Sequence, residues 1–499
     1  MTKPPSLPGG APATSRRPVF FRVFPSIMLP MFLAVVDQTI VATALPAIAA
    51  STGDVERASW VVVSYLIAST IAAPVYGNLG DVFGRRRLMF VALPIFIVAS
   101  LLCAGARNIW MLTAARVLQG FGGGGLMTLS QALIGEAIPP RERARYQGYL
   151  AAVAVSSNAF GPVAGGYLTQ HFGWPSIFLI NVPVGLLAIW LTFRLEPHPR
   201  SAEPWRFDAP GLVLFALFVA PMLLALEQGQ RLDPAAVPGI LGLVALSILA
   251  AGLLLWREKR ASSPLLPLDL LRQPSIWRTD ALAACHGAAL VSLITFLPIY
   301  LIVARGLSAA ETGLMLVPLT IGIGAGSLIT GQMVARTGRT MIFPSVGLIL
   351  VTLNMLVFAF WAPDLSMRQL PWVLLETGLF VGTVMGVVQV TVQKVAGPRL
   401  LGEGAASVQF SRSVGAAFGT ATVGAVLFAV LAATDPDAAH LFAAIVEHGP
   451  AAVSSLPSAR QGMLQGEIAE AFRAAFLTVA SFAALGVIVA LSIPVRRIS

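Results

Sequence analysis

Residues 24–49 read FPSIMLPMFLAVVDQTIVATALPAIA, with one formally charged side chain, Asp37, half-way along. A helix needs about 20 apolar residues to cross a bilayer, so this stretch is long enough to span one. An ionised carboxylate at that depth costs several kcal/mol, and it needs a partner, a proton or a water-filled cavity. A carboxylate that takes a proton from one side and releases it to the other is the simplest proton carrier. What surrounds Asp37 therefore decides how the rest of the chain is read.

The 499 residues are 56% hydrophobic and 11% charged, with mean hydropathy +0.80. A soluble chain of this length carries about 25% charge, so the composition is that of an all-α polytopic membrane protein. Fourteen apolar spans are expected, at about 24–48, 59–79, 88–106, 110–134, 147–168, 176–193, 211–227, 237–256, 280–303, 312–334, 342–361, 372–393, 404–431 and 472–494. With the N-terminus inside, 24 Lys and Arg fall on the inner side and seven on the outer, and Arg116 and Arg412 lie within spans. This bias puts both termini in the cytoplasm. It also accounts for the net charge of +10 without a nucleic-acid partner. Cys103 and Cys285 fall inside apolar spans and read as buried thiols, and the five His do not cluster as a metal site.

The expected organisation is a disordered cytoplasmic tail (1–23), a six-helix bundle (24–194), a linker with two inserted helices (195–279), a second six-helix bundle (280–494) and a short tail (495–499). The outer loop 432–470, with helical periodicity in two stretches, reads as an amphipathic hairpin on the membrane surface. Segment 256–278 reads as a linker with an interfacial helix. A weak repeat supports the two bundles: GNLGDVFGR (77–85) and GQMVARTGR (331–339) superpose their glycines and final Arg at an offset of 254. Asp280 and Glu227 stand at span ends and read as interfacial.

GNLGDVFGRRR joins spans 2 and 3. Gly77 and Gly84 permit close backbone approach and a tight turn. Asp81 is suited to accept hydrogen bonds from a neighbouring helix N-terminus or to pair with an Arg, and Gly77, Asp81, Gly84 and Arg85 together read as a latch that breaks when the halves rock. A positive-inside anchor would explain the arginines but not the Gly–Asp–Gly spacing. The second copy has Ala335 in place of Asp81, so the latch belongs to the first half. Helical rise puts Asp37 roughly 20 Å up a core of about 30 Å, and Arg116 about 9 Å below the outer end of span 4. The two depths are similar, which places Arg116 within reach of Asp37, directly or through Gln38, Gln119 or water. The Arg favours the ionised carboxylate and desolvation the neutral one. Gly161, Pro162, Gly165 and Gly166 in span 5 read equally as a hinge and as membrane-helix packing.

These stretches carry a resemblance. GNLGDVFGRRR resembles the loop 2–3 signature of the major facilitator superfamily. LTAARVLQGFGGGG (112–125) resembles the superfamily's span 4 motif and SNAFGPVAGG (157–166, with Ser157 for the usual first Gly) its span 5 antiporter motif, while LAVVDQTIVATALPAI (33–48) and FGWPSIFLINVPVG (172–185) are similar to its fourteen-span drug/proton antiporter branch, the EmrB/QacA-like exporters. The resemblance implies two six-helix bundles plus two inserted helices and no enzyme activity. It also implies protons as coupling ion with no cofactor, and a hinge and seal at Gly161–Gly166. The substrate would be a hydrophobic or amphipathic small molecule, exported across a bacterial inner membrane, with periplasmic adaptor proteins as a further class of partner. Gln38, Gln119, Asn158, His286, Glu376 and Gln389 are candidate cavity residues. They serve equally as glue between helices or, for Glu376, as a solvated group near the mouth. Export of an endogenous lipid or metabolite is the alternative in the same class. A polytopic membrane enzyme would need clustered Asp, Glu or His at one membrane face, and a sensor would need a signalling domain; the sequence offers neither. No Walker loop is present for direct use of ATP.

Overall fold

The computed structural model describes residues 16–54, 57–196, 207–229, 236–261, 264–266, 268–435, 437–439, 441–442, 445 and 457–497. The N-terminal helices are α1 (Arg16–Thr52), α2 (Trp60–Phe83), α3 (Arg85–Ala104), α4 (Ile109–Ala137), α5 (Pro140–Phe172), α6 (Ser176–Leu179) and α7 (Asn181–Thr192). Then come α8 (Ala209–Gly229), α9 (Val237–Glu258) and the short α10 (Leu268–Leu271). The C-terminal helices are α11 (Pro274–Val303), α12 (Ala309–Thr337), α13 (Ile342–Trp361), α14 (Leu370–Val381), α15 (Met385–Ala396), α16 (Leu401–Thr434) and α17 (Ser458–Ser492). Among the described residues there is no strand beyond an isolated bridge between Arg339 and Arg497. Among the described residues eleven helices are long and apolar enough to cross a membrane, with α14 and α15 counted as one; α4, α5 and the α6–α7 pair run beside them.

Local chemistry sets the helix ends. Gly84 at φ +92° separates α2 from α3, a backbone conformation that disfavours any residue with a Cβ. Asn108 accepts a hydrogen bond from the Met111 N–H (2.8 Å) and caps α4. Ser308 and Glu311 form a reciprocal capping box at the start of α12, and Gly338 at φ +67° ends it.

Helix packing repeats between the two ends of the chain. In the N-terminal group α1 lies on α5, α2 on α4 and α3 on α7; in the C-terminal group α11 lies on α16, α12 on α14 and α13 on α17. The groups meet along two seams, α5 with α12 and α2 with α16, which exchange under the same repeat. The paired helices α8 and α9 sit outside the groups, with α8 against α2 and α16.

Several expectations need correction. The tail expected over 1–23 gives way to helix at Arg16, and residues 1–15 lie outside the described residues. Span 12 stands as Leu370–Ala396, but it carries a turn at 382–384 between α14 and α15, where Ser327 Oγ donates to the Gly382 carbonyl (2.8 Å) and Gly382 is pressed against α12. The loop 432–470 is not a surface hairpin. Residues 463–472 lie within α17, which starts at Ser458, and Ala438, Phe442 and Ile445 are buried, Phe442 packing on Phe428 and Phe472. The described apolar residues expected to lie on lipid cover the C-terminal core instead, while 436, 440, 443–444 and 446–456 lie outside the described residues. Asp280, read as interfacial, is 7% exposed because α16 and the segment before α11 cover it.

Candidate functional site

Glycines on α4 decide how close its neighbours come. A Cβ on Gly120 would lie 2.6 Å from the Tyr65 carbonyl oxygen of α2, one on Gly124 2.3 Å from that of Ser69, and one on Gly122 2.8 Å from Phe96 of α3. Bare backbone thus lets α4 lie directly on both helices. The Arg116 Nε consequently reaches across α2 to donate to the Val61 carbonyl (3.0 Å).

Arg116 Nη1 donates to Asp37 Oδ2 (2.5 Å) and to Gln119 Oε1 (2.7 Å). Asp37 Oδ1 accepts from Gln119 Nε2 and from Asn181 Nδ2, each at 2.8 Å. Ser100 Oγ accepts from the same two amides, at 2.8 and 3.3 Å, and Cys103 Sγ donates to Gln119 Oε1 at 3.4 Å. The guanidinium also lies 4.2 Å from the Tyr65 ring centroid and 5.8 Å from that of Phe178, within cation–π range. Asp37, Arg116 and Gln119 are all 0% exposed. Five helices, α1, α3, α4, α7 and the start of α2, therefore enclose one ion pair in which the carboxylate is fully engaged.

The second constellation lies on the seam between α2 and α16. Gly77 and Gly402 meet backbone to backbone: a Cβ on Gly77 would lie 2.6 Å from the Gly402 oxygen, and one on Gly402 2.3 Å from the Gly77 oxygen. One turn on, the Asp81 carboxylate accepts the N–H groups of Gly402 (2.9 Å) and Glu403 (3.1 Å), the exposed donors at the N-terminus of α16. Arg85 bridges Asp81 and Glu136, tying α2, the start of α3 and the end of α4 to this cap. The face carrying Arg85 is sealed further where Gly148 and Gly331 seat α5 on α12, and where Gln393 Nε2 donates to the Gln131 carbonyl (2.8 Å).

A family model described as Major Facilitator Superfamily matches residues 27–420. The chain belongs to the major facilitator superfamily. Among its relatives is an uncharacterized MFS-type transporter of Mycobacterium tuberculosis, Rv1877, 34% identical over 98% of this chain and 72% of the relative. Another is the multidrug transporter protein MdtP of Bacillus subtilis, 31% identical over 80% of this chain and 74% of the relative. The crystal structure of the human organic anion transporter MFSD10 superposes with a TM-score of 0.66 at 15% identity, covering 94% of this chain and 99% of that one, a likeness of fold. The superfamily is one of transporters rather than enzymes.

In this facilitator the remaining sequence candidates are dispersed. Gly161 and Gly165 seat α5 on Thr39, Ile40 and Thr43 of α1, whereas Pro162 and Gly166 face outward. Gln38 Nε2 approaches Met127 Sδ (3.9 Å), as does Gln409 of the other group (3.8 Å). Gln119 is buried in the ion-pair network. His286 and Gln389 are buried within the C-terminal group, His286 Nε2 lying 3.1 Å from the Val381 oxygen, and Glu376 is exposed. The side chain of Asn158 lies outside the described residues. Sequence reasoning missed Asn181, Ser100 and Cys103. Asn181 stood inside the quoted FLINVPVG motif, and an amide in an apolar span was the signal. Glu136 was missed as the partner of Arg85, and the helix N-terminus expected for Asp81 turns out to be that of α16.

Proposed function

We propose that this facilitator is a proton-driven exporter of hydrophobic or amphipathic small molecules, of the fourteen-span EmrB/QacA-like branch. The observation that carries the proposal is the Asp37–Arg116 pair, sealed at 0% exposure within the N-terminal group. Protonating Asp37 cancels one charge of a buried pair and leaves Arg116 uncompensated. An arrangement with one partner removed costs about 3–5 kcal/mol. Proton uptake at Asp37 therefore drives the helices around Arg116 toward a conformation in which the guanidinium finds water or another acceptor, and proton release drives them back. That is the coupling an antiporter needs. Arg116 Nη2, without a hydrogen-bond acceptor in this arrangement, is ready to take one in the other.

The eleven apolar helices, with α4, α5 and the α6–α7 pair, make up the fourteen spans, in bundles over 24–194 and 280–494 with 195–279 inserted. The excess of Lys and Arg on the Arg85 face favours that face as cytoplasmic, both termini included, and the membrane as a bacterial inner membrane. In this reading the Asp81 cap and the glycine contacts close the cytoplasmic side. Protons are the coupling ion and no cofactor is required. Multidrug relatives support a loosely specified apolar substrate. A susceptibility panel in a pump-deficient bacterial host tests the reading. Expression of the chain should raise tolerance to at least one lipophilic drug, and Asp37→Asn at matched membrane levels should abolish it. Equal protection by the variant would overturn the role of Asp37.

A further inference from the structure

A cavity of about 170 Å³ lies where the α2–α16 seam meets the inserted helix α8 and the segment leading into α11. None of its lining residues belongs to α1 or α4, so it is separate from the Asp37 pair. Its wall is mostly apolar, with Pro74, Phe215, Leu266 and Phe410, and two carboxylates, Asp280 and Glu403, face into it. Asp280 is 7% exposed, and its hydrogen bond comes from Ser407 Oγ, at 3.2 Å to Oδ1. Glu403 Oε1 accepts from Asn78 Nδ2 (2.9 Å), while Oε2 is buried with no hydrogen-bond partner. Nearby Asp81 has Arg85. Among the described residues no Lys, Arg or His stands within ion-pair distance of Asp280 or Glu403. Two acids facing an apolar cavity without a counter-charge are costly as anions, and either a proton or a cationic ligand relieves that cost. The aromatic lining narrows what that ligand is: Phe215 and Phe410 are packed with ring centroids 5.4 Å apart, and ring faces beside carboxylates favour a weakly hydrated organic cation.

We propose that this cavity binds an ammonium group carried on a compact apolar body, held between Asp280 and Glu403 and against Phe215 and Phe410. The site is independent of proton coupling at Asp37, so either reading stands if the other fails. Its position gives it a consequence for the seam. Glu403 offers its N–H to the Asp81 cap and its side chain to Asn78 of α2, so a cation on its free oxygen braces α16 against α2 in the closed arrangement.

The source of the ammonium is a free amphipathic amine or a lipid headgroup, and the test separates the two. The full-length protein in maltoside micelles, which carry no ammonium, is titrated with benzyltrimethylammonium. Saturable binding is expected, weakened at least about tenfold by Asp280→Asn and by Glu403→Gln, since each removes a charge-assisted contact. Benzyl alcohol, of similar body and no charge, should not compete. Size-exclusion profiles matching wild type keep either variant informative if the other fails to fold. Phosphatidylethanolamine added to the micelles assigns the source: competition points to the headgroup amine and its absence to a free amine, and either supports the site. Equal binding by wild type and both variants, or competition by benzyl alcohol as strong as by a second ammonium, would overturn the proposal.

Discussion

Arg116 makes Asp37 tolerable in the membrane, and the reverse holds as strongly. Asp37 takes hydrogen bonds from Arg116, Gln119 and Asn181, so its charge is spread over three donors. Removing either ion leaves the other buried alone. Asp37→Asn and Arg116→Gln should therefore each lower stability by about 3 kcal/mol. The double variant should recover most of that loss, and the coupling should be visible as a non-additive thermal-unfolding cycle in detergent. Additive losses would mean the two residues act separately. The depth of both residues was legible because helical rise and bilayer thickness leave little freedom along a span. The amides that complete the network were not. Asn181 meets Asp37 across 144 residues and Ser100 across 81, and no local pattern encodes such contacts.

At the scale of the helix, the loop motif was legible as chemistry but not as geometry. The spacing of Gly77, Asp81 and Gly84 foretold close approach, an anion for a helix N-terminus and a sharp turn. That the helix would be α16, 321 residues away, emerges only when the two halves are packed. The turn between α14 and α15 was hidden because Gly382 and Thr383 read as part of an apolar run, and contact with α12 is what interrupts them. Asp81→Asn weakens the cap by replacing a charged acceptor, and Gly77→Leu forces α2 and α16 apart. Both should lengthen and broaden the distance between spin labels at residues 87 and 398. Both should also slow transport at normal expression, whereas substitutions at Ala335, which has no carboxylate to lose, should do neither. Wild-type distances in Asp81→Asn would show the cap to be incidental. The glycines of α4 are stricter: Gly124→Leu places side-chain atoms where the Ser69 carbonyl stands, and folded, monodisperse protein should be largely lost.

For the whole molecule, the long apolar runs made a many-helix membrane protein readable, and the alternating charge along the chain is what the proposed count and direction of the spans rest on, because a helix once committed to crossing fixes the side of every later loop. The placement of α8 on the seam, and the burial of Ala438, Phe442 and Ile445, were not readable, since both depend on which surface is left open once the bundles form. Topology is checked with single cysteines, Cys103 and Cys285 being buried. A cysteine at exposed Ser366 should react with an impermeant maleimide in intact cells, and one at exposed Thr337 only after lysis. The opposite pattern would invert the assignment of the closed face. The central claim, that Asp37 carries the coupling proton, is met most directly in liposomes containing purified protein. A pH difference is imposed and accumulation of a transported lipophilic drug is followed for wild type, Asp37→Asn and Asp37→Asn/Arg116→Gln. The account predicts uphill accumulation by wild type and, at most, equilibration by both variants. Uphill accumulation by either variant would contradict it and move the proton site elsewhere, with Glu376 the first residue to test.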